Sequence, residues 1–215
     1  MRDLRDTVPT AESNWLGRWT EGPTENGLSL LVPGTPAPDL ALPDQTGSRR
    51  QLAEFWANGP ALIMFWRHFG CSCGVTRAER LITEFDSYRE ADLTPVIIAQ
   101  GEPEQAALYT KAHGIPCAIL CDPDLDAYRA FGVGHWAVEQ VLFDAPPAYW
   151  AHSREVGAAF QDGRRREGRP PVDDPWRAAA EFVVGANGQI RLAYAYQYCE
   201  DYPDPRVLTT AARLS

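Results

Sequence analysis

An uninterrupted apolar run, followed by alternating strand and helix patterns, limits the folds open to this chain more than any other feature. The run from Ala61 to Trp66 reads ALIMFW, which has the length of one strand and no polar alternation. A strand of this kind is covered on both faces, as the central strand of an α/β sheet is. The run is also far too short to cross a bilayer.

The segments after this run repeat the order of strand and helix. Apolar residues at helical spacing from Ala78 to Tyr88 predict a helix, and Thr76 with Glu79 forms a capping box ahead of it. The elements that follow are a strand at 95–99, a helix at 103–114 and a strand at 118–121. This order predicts parallel strands, so we expect an α/β fold with a central mixed sheet flanked by helices.

A hairpin and a last helix complete the predicted pattern. The stretch EFVVGANGQIRLAYAY, which begins at Glu181, predicts two strands around a turn at 186–189. Asn187 and Gly188 are expected to supply the positive φ angles of that turn. The last helix is predicted to begin at about Asp204.

Two segments lie outside this pattern. Residues 1–33 show no sustained period and predict an N-terminal arm that packs on the domain through Trp15 and Trp19. Residues 34–215 predict one domain, with an insertion at about 134–178 before the last hairpin. The insertion is rich in aromatic residues and proline, which is typical of a segment that packs on the domain rather than of a flexible linker. Its rings either cover the sheet or line a pocket or dimer face; they include Trp136, Tyr149 and Trp150.

The charge balance excludes some classes of partner. A net charge of -9 and a pI near 4.9 disfavour a general nucleic-acid binder. The basic cluster, which we interpret as a solvated loop, comprises Arg164, Arg165, Arg166 and Arg169. The N-terminus carries no apolar signal-like segment, so we expect a cytoplasmic protein without a membrane partner. Five cysteines without a secretion signal favour reduced, reactive or buried thiols over structural disulfides.

Four segments, in order along the chain, resemble the alkyl hydroperoxide reductase/thiol-specific antioxidant group of peroxiredoxins. They are GTPAPDLALPDQTG at 34–47, ALIMFWRHFGCSC at 61–73, HGIPCAILCDPDLDAYRAFGV at 113–133 and EFVVGANGQIR at 181–191. Apart from the insertion, the resemblance covers about residues 34 to 196. It implies a thioredoxin-like fold and places the active-site cysteine in the loop after the apolar strand.

The resemblance implies a cysteine-based thiol/disulfide or peroxide oxidoreductase. Cys71 and Cys73 would act as nucleophile and resolver, in either order, on a small peroxide or disulfide substrate. Cys199 is a longer-range candidate resolver, or a cysteine that only packs near the sheet. Arg191 and Arg177 are candidate partners for a thiolate or a peroxide oxygen, and Arg191 is equally well a surface strand residue. Such an enzyme would need an external thiol reductant and no bound cofactor, and it is a candidate homodimer.

The residues around the loop determine whether a thiolate forms there. Nearby cations and a helix N-terminus both favour the thiolate. Arg67, His68 and Arg77 lie close in sequence. If the helix begins at Thr76, however, Cys73 lies outside its first turn, where the helix dipole is weaker.

The loop departs from the peroxiredoxin pattern Pro-x-x-x-Thr-x-x-Cys. Trp66 and Gly70 stand at the proline and threonine positions before Cys73, and Met64 and His68 stand there before the other loop cysteine. We therefore keep two further hypotheses.

The first alternative is a metal site. His68, Cys71 and Cys73 form His-x-x-Cys-x-Cys, a set of ligands suited to copper or zinc, which His135 or His152 would complete. The second alternative is a binding or accessory protein that keeps the redoxin fold without catalysis.

The remaining cysteines are predicted to be structural. Cys117 and Cys121 flank the apolar residues AIL and share one face of a predicted strand. We expect both to lie in the core.

Overall fold

The strands form one five-stranded sheet and one small hairpin. A computed structural model describes residues 4–143, 153–169 and 171–214. Its strands are β1 (Ala41–Pro43), β2 (Arg49–Gln51), β3 (Ala61–Phe65), β4 (Thr94–Ala99), β5 (Ala118–Cys121), β6 (Ala180–Val184) and β7 (Ile190–Ala195). The large sheet has the order β5-β4-β3-β6-β7, while β1 and β2 pair with each other. β4 runs parallel to both β3 and β5, whereas β6 is antiparallel to β3 and β7, so the predicted mixed sheet is confirmed.

Helices cover both faces of the large sheet. They are α1 (Leu4–Glu21), α2 (Ser72–Glu90), α3 (Pro103–His113), α4 (Asp126–Phe131), α5 (Val138–Val141), α6 (Ser153–Arg166) and α7 (Pro205–Arg213). The helices α2, α3 and α7 pack on one face, and α4 packs on the other. Within the described ranges, no helix combines the length and the apolar character that a membrane span needs.

The apolar run is the central strand, as predicted. Every residue of β3 is buried. Ile63 and Phe65 join the core on the α4 side, while Leu62 and Met64 join the core under α2 and α3. The burial of both faces explains why the run lacks polar alternation. β3 ends at Phe65, and the cysteine loop begins there.

The first part of the N-terminal arm forms the helix α1, which its sequence did not predict. Trp15 and Trp19 lie four residues apart on one face of α1 and stack with ring centroids 5.3 Å apart. Trp19 also stacks on Trp176 at 4.8 Å, so the predicted packing through these rings is confirmed. Few other large apolar residues follow this face, and the pattern therefore shows no sustained period.

The described part of the insertion packs closely on α1. A Cβ added at Gly157 would lie 2.3 Å from the Trp19 ring, so glycine allows α6 to approach α1. Trp136 is buried in the core on the α4 side, as expected of a ring that covers the sheet, and Trp176 is buried against α1, whereas Tyr149 and Trp150 lie outside the described residues. The interpretation of the arginine run as a solvated loop is wrong, because Arg164, Arg165 and Arg166 end α6.

The last hairpin and the last helix follow their predictions with one correction. Gly188 has a φ of 77°, but Asn187 keeps a negative φ and instead accepts a hydrogen bond from the Gln189 amide through its side chain. The terminal helix begins after Asp204, whose carboxylate accepts a hydrogen bond from the amide of Arg206 at 2.9 Å. Asp204 therefore acts as the helix cap.

Candidate functional site

The cysteine loop lies at the carboxyl end of the central strand. The chain leaves β3 at Phe65, and Cys71 and Cys73 follow, joined by a disulfide with their Cα atoms 5.3 Å apart. Both cysteines are buried to more than nine-tenths. Cys71 has an extended backbone and is the residue that precedes the first turn of α2.

The predicted start of α2 at Thr76 is wrong. The helix begins at Ser72, and the Thr76 hydroxyl donates to the Ser72 carbonyl at 3.4 Å instead of capping an amide. A threonine inside a helix commonly bonds back to the carbonyl four residues earlier. Cys73 therefore lies in the first turn, where the amides without helical partners favour negative charge.

Arg67 holds a cation against two sulfur atoms. Its Nη1 lies 3.2 Å from the Cys71 Sγ and 3.1 Å from the Cys199 Sγ. Its other nitrogens donate to the carbonyls of Arg177 and Pro175. The guanidinium also lies over the Trp136 ring, 5.2 Å from its centroid. These contacts fix the charge in place, which lowers the free energy of a thiolate beside it.

Cys199 joins the loop cysteines from the segment between β7 and α7. The three Sγ atoms of Cys71, Cys73 and Cys199 all lie within 4.8 Å of one another. The Tyr202 hydroxyl donates to the carbonyl of Cys73 at 2.8 Å, which fastens this segment to the start of α2. Tertiary structure thus brings together three of the four residues predicted for catalysis.

The fourth predicted residue, Arg191, does not meet the cysteines. It follows Ile190, which pairs with Val184 on β6, and Val184 pairs with Ala61 at the start of β3. The cysteine loop leaves the opposite end of β3. Arg191 instead donates to the carbonyl of Ala212 in α7 at 2.6 Å, so its predicted contact with a thiolate is wrong.

Arg177 and Arg77 are engaged by carboxylates. The Arg177 side chain binds both carboxylate oxygens of Glu25, at 2.5 and 2.9 Å. Its contact with the site is made by its backbone carbonyl, which accepts a hydrogen bond from Arg67. Arg77 pairs with Glu181 at 2.8 Å and with Glu84 at 3.1 Å. Arg67 is therefore the cation that serves the sulfur atoms. Its position two residues after β3 was the sequence signal for this role.

The histidines predicted as metal ligands lie apart from the sulfur cluster or are engaged elsewhere. Burial and the neighbouring Arg67 hold the pKa of His68 well below its usual value, so this ring is neutral at pH 7. His135 accepts the amides of Thr24 and Glu25 at its Nδ1, each at 3.1 Å, which leaves Nε2 to donate to Asp174 at 2.7 Å. The prediction that His135 completes a metal site is therefore wrong, and His152 lies outside the described residues.

The closest group of metal-ligating side chains differs from the predicted one. Within the described residues, the cluster of ligand atoms consists of the three sulfurs, with Cys199 in the place predicted for His68. Thiolates of this kind suit soft ions such as copper(I) or zinc. The positive charge of Arg67 opposes a cation at the same place.

A pocket of about 260 Å³ opens beside the disulfide. Cys71, Cys73, Cys199 and Arg67 line its inner side. The outer walls come from α1, the end of α5 and α6, and they present the apolar side chains of Trp15, Trp19, Leu142, Phe143 and Phe160. The arm and the insertion thus shape access to the sulfur atoms, a role that the sequence left open.

The insertion also contacts the cysteine loop directly. Arg169 donates to the carbonyl of Cys71 at 3.2 Å, and Arg164 donates to the hydroxyl of Ser72 at 3.3 Å. Both contacts hold the loop between α6 and the sheet. Part of the arginine run therefore positions the site.

The other cysteines are separate from the site. Cys121 is fully buried in the core under α2 and α3, and Cys117 packs against the same core while partly exposed. Burial raises the pKa of each thiol to about 12. The prediction of core positions is confirmed for Cys121, and Cys117 lies at the edge of the core.

The fold and the site together define a class of protein. A mixed sheet with helices on both faces, and a cysteine pair where the central strand meets a helix, is the arrangement of thioredoxin-like proteins. Within this class, residues 33–193 match the AhpC/TSA family. The chain belongs to that family, as the resemblance implied.

Curated relatives carry the same assignment. Two proteins of Mycobacterium tuberculosis, both named as peroxiredoxins, are each 30% identical to this chain over 103 residues. The match covers 47% of this chain, and the chain spans 64% of the length of these relatives.

Solved structures agree on the fold. The peroxidoxin BcpB of Mycobacterium tuberculosis superposes with a TM-score of 0.62 at 16% identity, covering 86% of this chain and 99% of BcpB. A thiol peroxidase of Chromobacterium violaceum superposes with a TM-score of 0.57 at 16% identity, covering 86% of this chain and 87% of the peroxidase. Peroxiredoxin Q of Xanthomonas campestris superposes with a TM-score of 0.56 at 12% identity, covering 86% of this chain and 96% of peroxiredoxin Q. The predicted thioredoxin-like fold is confirmed.

Proposed function

We propose that this chain is a cysteine-dependent oxidoreductase that reduces a peroxide through Cys71 and Cys73. The observation that carries the proposal is the guanidinium of Arg67, 3.2 Å from the Cys71 Sγ, where Cys71 precedes the first turn of α2 and is bonded to Cys73. A cation and a helix N-terminus are the two features that most strongly favour a thiolate at neutral pH. Cys71 is therefore the attacking residue and Cys73 the resolver.

The proposed reaction has three balanced steps. The Cys71 thiolate attacks the terminal peroxide oxygen, an S–O bond forms, the O–O bond breaks, and the alcohol or water leaves after taking a proton. The Cys73 thiol then attacks the sulfenic sulfur, which releases water and forms the disulfide. Two equivalents of an external thiol reduce the disulfide by exchange and leave as a disulfide themselves.

The walls of the pocket favour a substrate with an apolar body. Phe160 and Leu142 present carbon surface beside the sulfur atoms, and burying such surface contributes about 25 cal/mol per Å². We infer that an organic hydroperoxide uses this surface and that hydrogen peroxide does not.

The test combines mass mapping with turnover. The reduced protein is treated with a small excess of peroxide, and we expect a loss of about two mass units that maps to the peptide carrying Cys71 and Cys73. In steady state with dithiothreitol, Cys71→Ser abolishes peroxide consumption and Cys73→Ser slows it, while Cys117→Ser keeps it. Full turnover by the double variant Cys71→Ser, Cys73→Ser would overturn the proposal and favour the accessory-protein alternative.

Metal binding is a second candidate because three Sγ atoms lie within 4.8 Å of one another. Once reduced, Cys71, Cys73 and Cys199 offer three thiols to a soft ion. Titration of the reduced protein with zinc against a chromogenic chelator tests this candidate. Affinity that is lost in Cys199→Ser and kept in His68→Ala would support it, whereas no competition with the chelator would exclude it.

The proposal also covers the cellular location and the oligomeric state. We infer a cytoplasmic location, where small thiols and dithiol proteins supply the reductant. We also infer a homodimer, which sedimentation of the reduced and the oxidised protein tests directly. A monomer in both states would contradict it.

A further inference from the structure

The sulfur cluster holds one cysteine more than the proposed reaction uses. Cys199 lies beside the loop disulfide, with its Sγ within 4.8 Å of both bonded sulfurs. A disulfide bond has a length of about 2.05 Å, so Cys199 needs to approach by less than about 3 Å to bond with either sulfur. Its segment is held near the loop by the Tyr202 hydroxyl on the Cys73 carbonyl. The third sulfur is therefore placed for exchange.

The position of Arg67 distinguishes the two sulfurs within reach of Cys199. In thiolate–disulfide exchange, the negative charge lies on the attacking and the leaving sulfur, while the central sulfur changes partners. Nη1 of Arg67 touches the Sγ of Cys199 at 3.1 Å and the Sγ of Cys71 at 3.2 Å. One cation thus serves two sulfurs that are not bonded to each other, which is the pattern expected for attacker and leaving group.

We propose that Cys199 attacks Cys73 and releases Cys71, so that the three cysteines form a relay within one chain. The Cys199 thiolate, which has given its proton to solvent, bonds to the Cys73 Sγ. The Cys71–Cys73 bond breaks, and Cys71 keeps the electron pair as a thiolate beside Arg67. No net oxidation or reduction occurs in this step.

The relay rests on the proposed function and changes what the reductant meets. The disulfide moves from the loop to a bond between Cys73 and Cys199, which links α2 to the segment before α7. Cys71 is then a free thiolate that faces the pocket again. The external thiol would reduce the Cys73–Cys199 bond, and Cys71 would be ready for the next peroxide while that bond persists.

Disulfide mapping after a peroxide-free oxidation tests the relay. The full chain, in its reduced form, receives one equivalent of diamide, is quenched with acid, and is alkylated before trypsin digestion. Cleavage at arginine and lysine separates the three relevant peptides, which are 68–77 with both loop cysteines, 112–129 with Cys117 and Cys121, and 192–206 with Cys199. We expect peptide 68–77 linked to 192–206, with the alkyl group on Cys71.

Each other map contradicts the relay. If Cys199 is alkylated in every molecule, the exchange does not occur. If the linked peptides carry the alkyl group on Cys73, the bond is to Cys71 and the assignment of the central sulfur is wrong. Because diamide forms disulfides without peroxide, the relay can fail while turnover persists, and turnover can fail while the relay persists.

Two variants add readouts that a merely structural role would not change. Cys199→Ser removes the attacker, so alkylation of Cys71 after diamide treatment disappears, whereas Cys117→Ser leaves the map unchanged. Arg67→Lys retains a positive charge but replaces the planar guanidinium that contacts both sulfurs with a single ammonium group. We therefore expect the linked peptides to form about tenfold more slowly. Alkylation of Cys71 that persists in Cys199→Ser, or an unchanged rate of linkage in Arg67→Lys, would overturn the relay.

Discussion

Cys71 and Cys199 at the candidate site and Cys121 at the end of β5 are the same residue type in opposite surroundings. Cys71 and Cys199 each have the Arg67 guanidinium about 3 Å from their sulfur and line a pocket. Cys121 has apolar neighbours, no exposed surface, and a pKa raised by burial and by nearby acidic groups. We therefore expect reactivity to follow a nearby cation and solvent access rather than the residue type alone.

The largest expected contrast is in alkylation of the reduced protein. At pH 8, a thiol with a pKa of about 12 is ionised in only about one molecule in ten thousand, and the alkylating agent also has no path to Cys121. We expect iodoacetamide to label Cys71 at least about a thousandfold faster than Cys121, measured by peptide mass spectrometry over time. In denaturant the two rates should converge. Similar rates in the folded protein would contradict the comparison.

The second contrast separates two arginines of the chain. Arg67→Met removes the cation beside Cys71, and we expect the rate constant with peroxide at pH 7 to fall about 10- to 100-fold. The matched control is Arg191→Met, because Arg191 binds the Ala212 carbonyl away from the cysteines. Stopped-flow oxidation of the reduced variants measures both. An equal loss in the two variants would mean that stability, rather than local charge, controls the rate.

A third contrast appears in alkaline stability. In the folded chain the thiols of Cys117 and Cys121 each have a pKa of about 12, whereas in the unfolded chain their pKa is about 9. Their stabilisation is therefore complete below pH 9 and is lost as the pH rises from 9 to 12. In Cys121→Ala, the decline of the unfolding free energy over this range should be shallower by up to about 1.4 kcal/mol per pH unit. Urea titrations at several pH values measure the slope, and an unchanged slope would contradict the assignment.

The smallest expected effect concerns access to the pocket. Phe160→Ala removes apolar surface beside the sulfur atoms without changing them, so KM for cumene hydroperoxide should rise about three- to fivefold. The rate with hydrogen peroxide should stay within about twofold, because that substrate is too small to use the wall. Leu108→Ala, at an exposed position of α3, is the control. A parallel loss for both peroxides would show that α6 acts through loop position rather than through the substrate.

Much of the fold follows from local pattern, and the exceptions have physical reasons. The run at Ala61 identifies the central strand because only a strand covered on both faces tolerates so continuous an apolar sequence. The capping box at Thr76 misplaced the start of α2, since a threonine hydroxyl can bond a carbonyl inside a helix as well as an amide at its end. The helix α1 gave too weak a period to predict, because its stability depends on Trp15 and Trp19 packing against distant partners.

The order of the strands of the large sheet with α2, α3 and α7, the position of the cysteine loop and the family could all be read from the sequence, since these depend on residue spacing along the chain. Which residues share the site depends instead on the tertiary structure. Arg67 and Cys199 are 132 residues apart and meet at 3.1 Å, whereas Arg191 lies at the other end of the sheet from the sulfurs. The reason is that hydrogen-bond register fixes which ends of distant strands coincide, and a side-chain pattern along one strand does not contain that register.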